Sequence, residues 1–246
     1  LQINDTDIIS VPDWAKGCIY YQIFPERFAR GTEIRKDLAD WDSAPTRDNY
    51  MGGTLPGICN KISYLRDLGV ECIYLNPIFE SNENHRYNTA NYMKADPLLG
   101  TNNEFEELCR EAEKYDISVI LDGVFSHTGA DSVYFNKFGR YKDELGAYQS
   151  KDSKYYDWYS FLNYPDSYEA WWGIDTLPNV NENNEKFTNF ICGDEGVLHY
   201  WLSKGAAGFR LDVADELPDQ FLNNLRRSVK KFSQDKIVIG EVWEDA

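Results

Sequence analysis

The sequence predicts an α/β fold: a parallel sheet of about five strands with helices outside it, wound as a (β/α) barrel, with a small subdomain inserted after the third strand. Three observations predict it. Short β-branched or aromatic runs alternate with segments whose apolar residues recur at helical spacing, and such alternation makes a parallel sheet covered by helices. Polar residues with chemical capability cluster after the strand ends, which favours a barrel over an open sheet. Residues 128–192, full of Tyr, Trp, Asn and Asp, have little periodicity and are too long for a simple loop.

Taken in order, residues 1–16 are a polar lead-in with a Val11-Pro12-Asp13-Trp14 turn. Ile19–Phe24 is the first strand, stopped by Pro25. Glu26-Arg27-Phe28 and a charged loop to about Asn49 follow. Gly52-Gly53-Thr54-Leu55 opens a helix carrying Ile58, Ile62, Leu65 and Leu68, which Gly69 ends. Val70–Leu75 is the second strand, closed by Asn76-Pro77. Residues 78–101 read as a long polar loop, and long ordered loops after strands tend to carry function. A helix from about Asn103 to Tyr115 places Phe105, Leu108 and Ala112 on one face. Ile117–Leu121 is the third strand and leads into Asp122-Gly123-Val124-Phe125-Ser126-His127. After the insert, Glu195–Lys204 is a helix, Gly208–Val213 a strand, Leu217 to Val229 a helix and Lys236–Trp243 the fifth strand. The divisions are therefore 1–127 for the first part of the barrel, 128–192 for the insert and 193–246 for the barrel continued.

The fourth strand carries the sharpest signal. Phe209, Leu211 and Val213 alternate with Arg210 and Asp212, so the cation and the carboxylate share one face. A buried structural ion pair and a catalytic carboxylate held ionised by a fixed cation stand level on this stretch alone. The fifth strand breaks the tie: it ends at Gly240-Glu241, and a strand-helix-strand unit makes the two strands parallel neighbours with both carboxylates at one end. Two carboxylates across a small gap are the equipment for glycosidic bond cleavage.

Composition narrows the partners. The 246 residues, 42% hydrophobic and 27% charged, suit one large globular domain. A net charge of −16 disfavours nucleic acid and phosphorylated substrates, which need basic patches. Aromatics at 15% suit both sugar stacking and core filling. Cys18, Cys59, Cys72, Cys109 and Cys192 are scattered, odd in number and without a CxxC pair, which fits reduced thiols in a cytoplasm. No apolar run is long enough to span a membrane. The N-terminus lacks Met and looks trimmed, which leaves secretion of a parent protein open.

Together the motifs resemble the alpha-amylase family of glycoside hydrolases over nearly the whole chain. They run from Tyr20-Tyr21-Gln22-Ile23-Phe24-Pro25-Glu26-Arg27-Phe28, through Asp122-Gly123-Val124-Phe125-Ser126-His127 and the Arg210-Asp212 strand, to Gly240-Glu241-Val242-Trp243. Leu177-Pro178-Asn179-Val180-Asn181, with Trp171-Trp172-Gly173 before it, is similar to the neopullulanase, cyclomaltodextrinase and maltogenic amylase branch. The resemblance implies an eight-stranded (β/α)8 TIM-type barrel, of which about five strands are present, and an alpha-glucan substrate cleaved at alpha-1,4 bonds with retention. It implies Asp212 as nucleophile, Arg210 as the cation that keeps it ionised, and Glu241 as general acid and then base. Asp122 and His127 would shape the subsite beside the cleaved bond, and Tyr87 would stack on the sugar there. Glu216, which the charge pattern alone puts at solvent or a helix start, lies near a position where the family contacts acceptor sugars. A retaining pair keeps its carboxyls roughly 5–5.5 Å apart, with a raised pKa on the acid and a low one on the nucleophile.

The departures are Ser126 where the family usually has Asn, Asn88 where Asp is common, and Thr54 in place of a usual Asp. Asp37, Asp40 and Asp42 do not make the calcium ladder of the branch, so no cofactor and no metal ligand are assigned; calcium has no clear site. A third carboxylate on a later strand has no candidate. The chain therefore reads as the first part of a catalytic domain, inactive or nearly so alone, with an open sheet side that invites self-association. A glucan transglycosylase of the same fold and a non-catalytic sugar-binding fragment are the alternatives.

Overall fold

The computed structural model describes residues 10–31 and 37–243. Residues 1–9 of the expected lead-in, 32–36 of the expected charged loop and 244–246 lie outside the described residues.

Strand β1 (Tyr20–Ile23) is followed by a 3-10 turn at Pro25–Arg27. Helix α1 (Leu55–Cys59) is capped by Thr54, whose hydroxyl accepts from Gly57 N at 3.1 Å, and carries Pro56 in its first turn, where no N–H partner is lost. Helix α2 (Ile62–Asp67) continues the same apolar spacing. The sequence predicts one helix here, but Lys61 (φ −108, ψ 5) leaves helical geometry between the two pieces. Ile58, Ile62 and Leu65 still enter one core, while Leu68 is exposed beyond it.

Strand β2 (Cys72–Leu75) leads into the stretch expected as a polar loop. That stretch instead holds an antiparallel pair, β3 (Phe79–Glu80) and β4 (Asn91–Ala95). Buried Phe79 and Tyr92 drive it, flanked by enough polar residues to hide the alternation. Helix α3 (Asn102–Glu113) opens with a capping box, Thr101 and Glu104 each satisfying the other's backbone N–H. Strand β5 (Ser118–Gly123) runs two residues further than the apolar pattern, so Asp122 lies within it.

The insert holds a short antiparallel pair, β6 (Phe161–Asn163) and β7 (Ser167–Tyr168), around an aromatic cluster in which Phe135 meets Tyr159, Phe161 and Tyr168. Within the 128–192 stretch, α4 (Glu185–Cys192) is a regular helix capped by Asn184, and it packs on α5 (Val197–Ser203) and α6 (Asp219–Phe232). Strands β8 (Gly208–Leu211) and β9 (Ile237–Gly240) complete the set.

All five major strands form one sheet in the order β1-β2-β5-β8-β9, each pair parallel. This is the predicted α/β architecture of the barrel type. The core lies between sheet and helices, with Trp201 fully buried and its indole N–H donated to the Tyr92 carbonyl at 2.7 Å. Parallel strands put every strand's C-terminal end on one edge, and that edge carries the polar residues.

Candidate active site

The register sets the site. Asp122 on β5 pairs with Arg210 on β8, so their side chains stand side by side on one face. One Arg210 nitrogen donates to both oxygens of Asp122 at 3.0 Å and to Asp212 at 2.9 Å; its other terminal nitrogen lies 2.7 Å from Glu241. A single guanidinium thus gathers three carboxylates from the ends of three neighbouring strands. Its planar fork suits it to such shared contacts.

Backbone bonds lock the turn below. Asp212 N donates to Gly123 O at 3.1 Å, Glu241 N to Leu211 O at 2.9 Å, and Ala214 N to Glu241 O at 2.9 Å. Val213 is left-handed (φ 42, ψ 51), which a β-branched residue rarely adopts, and its N–H donates to Glu241 Oε2 at 3.2 Å. Asp212 and Glu241 are thus both drawn to the one cation.

The electrostatics depart from the expectation of a low nucleophile pKa. Burial raises Asp212 to about 6, outweighing the Arg210 charge, and the neighbouring Glu241 raises it further. Burial likewise pushes Asp122 to about 7, against the pull of Arg210 and a Tyr74 hydrogen bond. One cation divided among three carboxylates cannot hold each of them low.

A hydrogen-bond relay extends the site to β1. Gln22 donates to Asn76 at 2.9 Å, Asn76 to the Tyr87 hydroxyl at 2.9 Å, and Tyr87 to Asp122 at 3.2 Å; Tyr74 also donates to Asp122. Tyr87, expected as a sugar-stacking ring, is therefore tethered by its hydroxyl to the carboxylate cluster. Arg86 just before it is buried and left-handed (φ 63), 3.0 Å from the Asp96 carboxylate, so the loop bearing Tyr87 is rigidly seated.

His127 is 2% exposed, and burial lowers its pKa to about 4, so it is neutral. Its Nε2 lies 3.2 Å from the Tyr87 carbonyl, an acceptor, which puts the proton there and lets Nδ1 accept from Ser126 Oγ at 3.0 Å. Both nitrogens have protein partners, so a sugar hydroxyl would have to displace one. Glu216 stands apart from Arg210: its two oxygens accept from the indoles of Trp171 at 2.8 Å and Trp172 at 3.0 Å. The Leu177–Asn181 segment returns beside His127, with Thr128 N donating to Pro178 O and Val180 N to Ser126 O, both at 3.1 Å.

The structure thus brings together Tyr87, Asp122, Arg210, Asp212 and Glu241, with His127 adjoining through Tyr87. Sequence reasoning missed Tyr74 and Asn76; Tyr74 sits in the apolar run Cys72-Ile73-Tyr74-Leu75, which carries no polar signal. A surface hollow of about 590 Å³ between residues of α4 and α6 touches none of them.

A family model for the alpha amylase catalytic domain matches residues 22–246. Amylopullulanase of Thermoanaerobacterium saccharolyticum is 40% identical across 95% of this chain and 22% of its own length. Cyclomaltodextrinase of Thermoanaerobacter pseudethanolicus is 36% identical across 99% of this chain and 42% of its own. Among solved structures, cyclic alpha-maltosyl-(1-->6)-maltose hydrolase of Arthrobacter globiformis superposes with a TM-score of 0.86 at 32% identity, over 96% of this chain and 53% of that one. The chain spans about half the length, or less, of the relatives it matches.

Proposed function

The chain belongs to the alpha-amylase family of glycoside hydrolases, and from that premise we propose that it carries the nucleophile and the acid/base of a retaining enzyme cleaving alpha-1,4 bonds in maltooligosaccharides, cyclodextrins, starch or pullulan. One observation carries the reading: Asp212 and Glu241 meet on Arg210 at the C-terminal ends of adjacent parallel strands.

In this reading Glu241 protonates the glycosidic oxygen while Asp212 attacks the anomeric carbon from the opposite face. The glycosidic bond breaks, an ester to Asp212 forms, and the leaving sugar takes Glu241's proton. Glu241, now ionised, then accepts a proton from water as that water displaces Asp212. Arg210 donates to the Asp212 carboxylate and fixes its attacking oxygen. Asp122 and His127 face the sugar's hydroxyls, and Tyr87 walls the same subsite. Proton NMR of maltoheptaose or β-cyclodextrin hydrolysis, by a polypeptide that carries this chain and turns the substrate over, is expected to show the alpha anomer of the product first, with the beta anomer appearing only by mutarotation. The beta anomer first would overturn the reading.

The relatives' names support the substrate class: an amylopullulanase, a cyclomaltodextrinase and a neopullulanase. No helix of the described residues is long and apolar enough to cross a membrane. The five free thiols support a reducing compartment. Ile239, Val242 and Trp243 are exposed on or beside β9, an edge strand of the sheet, which supports self-association along that side. Sedimentation of the chain is expected to show mass rising with concentration, and an invariant monomer would exclude it.

A further inference from the structure

Of the three carboxylates gathered on Arg210, Asp122 is the most enclosed: its side chain is 0% exposed, against 11% for Asp212 and 30% for Glu241. Enclosed in this way, it depends on protein donors. Arg210 Nη1 donates to both of its oxygens, and the hydroxyls of Tyr74 and Tyr87 both donate to Oδ2. The same Arg210 nitrogen also serves Asp212, and a terminal guanidinium nitrogen carries fewer hydrogens than the three oxygens it faces here. Asp122 and the catalytic pair therefore compete for one cation.

Tyr74 touches both sides of that competition. In the sheet register it pairs with Gln22 of β1 and Ile120 of β5, so its side chain stands on the face that Asp122 uses two residues further on. Its hydroxyl reaches diagonally to Asp122. Its ring faces the guanidinium, with Arg210 Cζ 5.6 Å from the ring centroid, within cation–π range. Burial first, and the Asp122 charge next, hold the Tyr74 phenol well above its usual pKa, so it keeps its proton and stays a donor. Tyr87 reaches Asp122 from a loop and accepts from Asn76 as well, whereas Tyr74 reaches it from the sheet itself.

We propose that Tyr74 is a positioning residue of the catalytic cluster: by donating to Asp122 and supporting Arg210 with its ring, it fixes how the one guanidinium is divided between Asp122 and the pair Asp212 and Glu241. The inference rests on the alpha-glucan reading above. Burial drives Asp122 towards its neutral form, and Arg210, then the Tyr74 hydroxyl, oppose it. Without that hydroxyl, Asp122 keeps its proton to higher pH and attracts Arg210 less. The guanidinium is then drawn further onto Asp212, whose pKa it lowers, and a carboxylate held more tightly is a weaker nucleophile.

Carbon-13 NMR titration of the aspartate carboxyls of the chain, with Asp122 assigned through Asp122→Asn, tests the contact. Tyr74→Phe is expected to raise the Asp122 midpoint by about one pH unit, the scale of a hydrogen bond to a charged group. In a polypeptide that carries this chain and turns maltoheptaose over, Tyr74→Phe is expected to lower kcat about 10-fold with KM unchanged, and to move the acid limb of kcat/KM to lower pH. Tyr74→Leu, which removes the ring as well, is expected to lose more, so that phenylalanine is a partial rescue. In an Asp122→Asn background Tyr74→Phe is expected to add nothing, because the hydroxyl acts through that carboxylate. An unmoved Asp122 midpoint overturns the link between hydroxyl and carboxylate. Full additivity with Asp122→Asn, or a rise in KM at constant kcat, overturns the positioning role. Each of these leaves the alpha-glucan reading standing; that reading falls instead if Asp212→Asn and Glu241→Gln leave turnover intact.

Discussion

Asp212→Asn and Glu241→Gln are each expected to lower hydrolysis of maltoheptaose by at least about 10³-fold, or ~4 kcal/mol of barrier, in a polypeptide that carries this chain and turns the substrate over. Asparagine cannot form the ester to the anomeric carbon, and glutamine has no proton to give the leaving oxygen. Both substitutions keep the side-chain shape and remove one of three carboxylates from a single cation, so folding is expected to survive. Before substitution, the acid limb of kcat/KM is expected near pH 6. Burial places the Asp212 pKa at about 6, and only its ionised form attacks, so activity rises as pH climbs through that value. Either variant retaining turnover to within about 10-fold would remove that residue from the chemistry.

Arg210→Leu is expected to cost about 3–5 kcal/mol of stability, read as a fall in Tm on the order of 10 °C. Three carboxylates would be left facing one another with no cation between them. Two of these groups already have raised pKa values, so the folded state holds protons that the unfolded chain would release. A carboxylate with a raised folded pKa contributes stability at low pH and loses it as pH rises through that pKa. The deficit should therefore be smaller near about pH 5 than near about pH 8, where Asp122 and Asp212 are ionised. Adding Asp122→Asn to Arg210→Leu should recover part of the loss, because the residues share one network. A deficit below about 1 kcal/mol at neutral pH would mean that solvent, not Arg210, neutralises the cluster.

The strands were legible because β-branched runs are local signals, and Arg210 with Asp212 was legible because alternation puts both on one face. Asp122 next to Arg210 was not, since strand register is a relation between distant segments. Tyr74 hid inside an apolar run, and only the register gives its hydroxyl a carboxylate to meet. The β3–β4 pair was lost among Asn and Tyr because two buried aromatics carry it. The single helix expected from residue 55 onward breaks at Lys61 because periodicity reports a buried face, not backbone continuity. Glu216 could be placed near acceptor sugars by resemblance, yet its two indole partners lie more than forty residues earlier.

The strand order has a consequence for how the molecule is assembled. Each strand of the main sheet lies beside the one that precedes it among those five, from β1 through to β9. During synthesis β2, β5, β8 and β9 each meet an edge already formed by earlier residues. For these strands vectorial emergence and spatial order coincide. The Asp122–Arg210 contact then forms when β8 docks on β5, and the last of the three carboxylates, Glu241, arrives at a cation already seated.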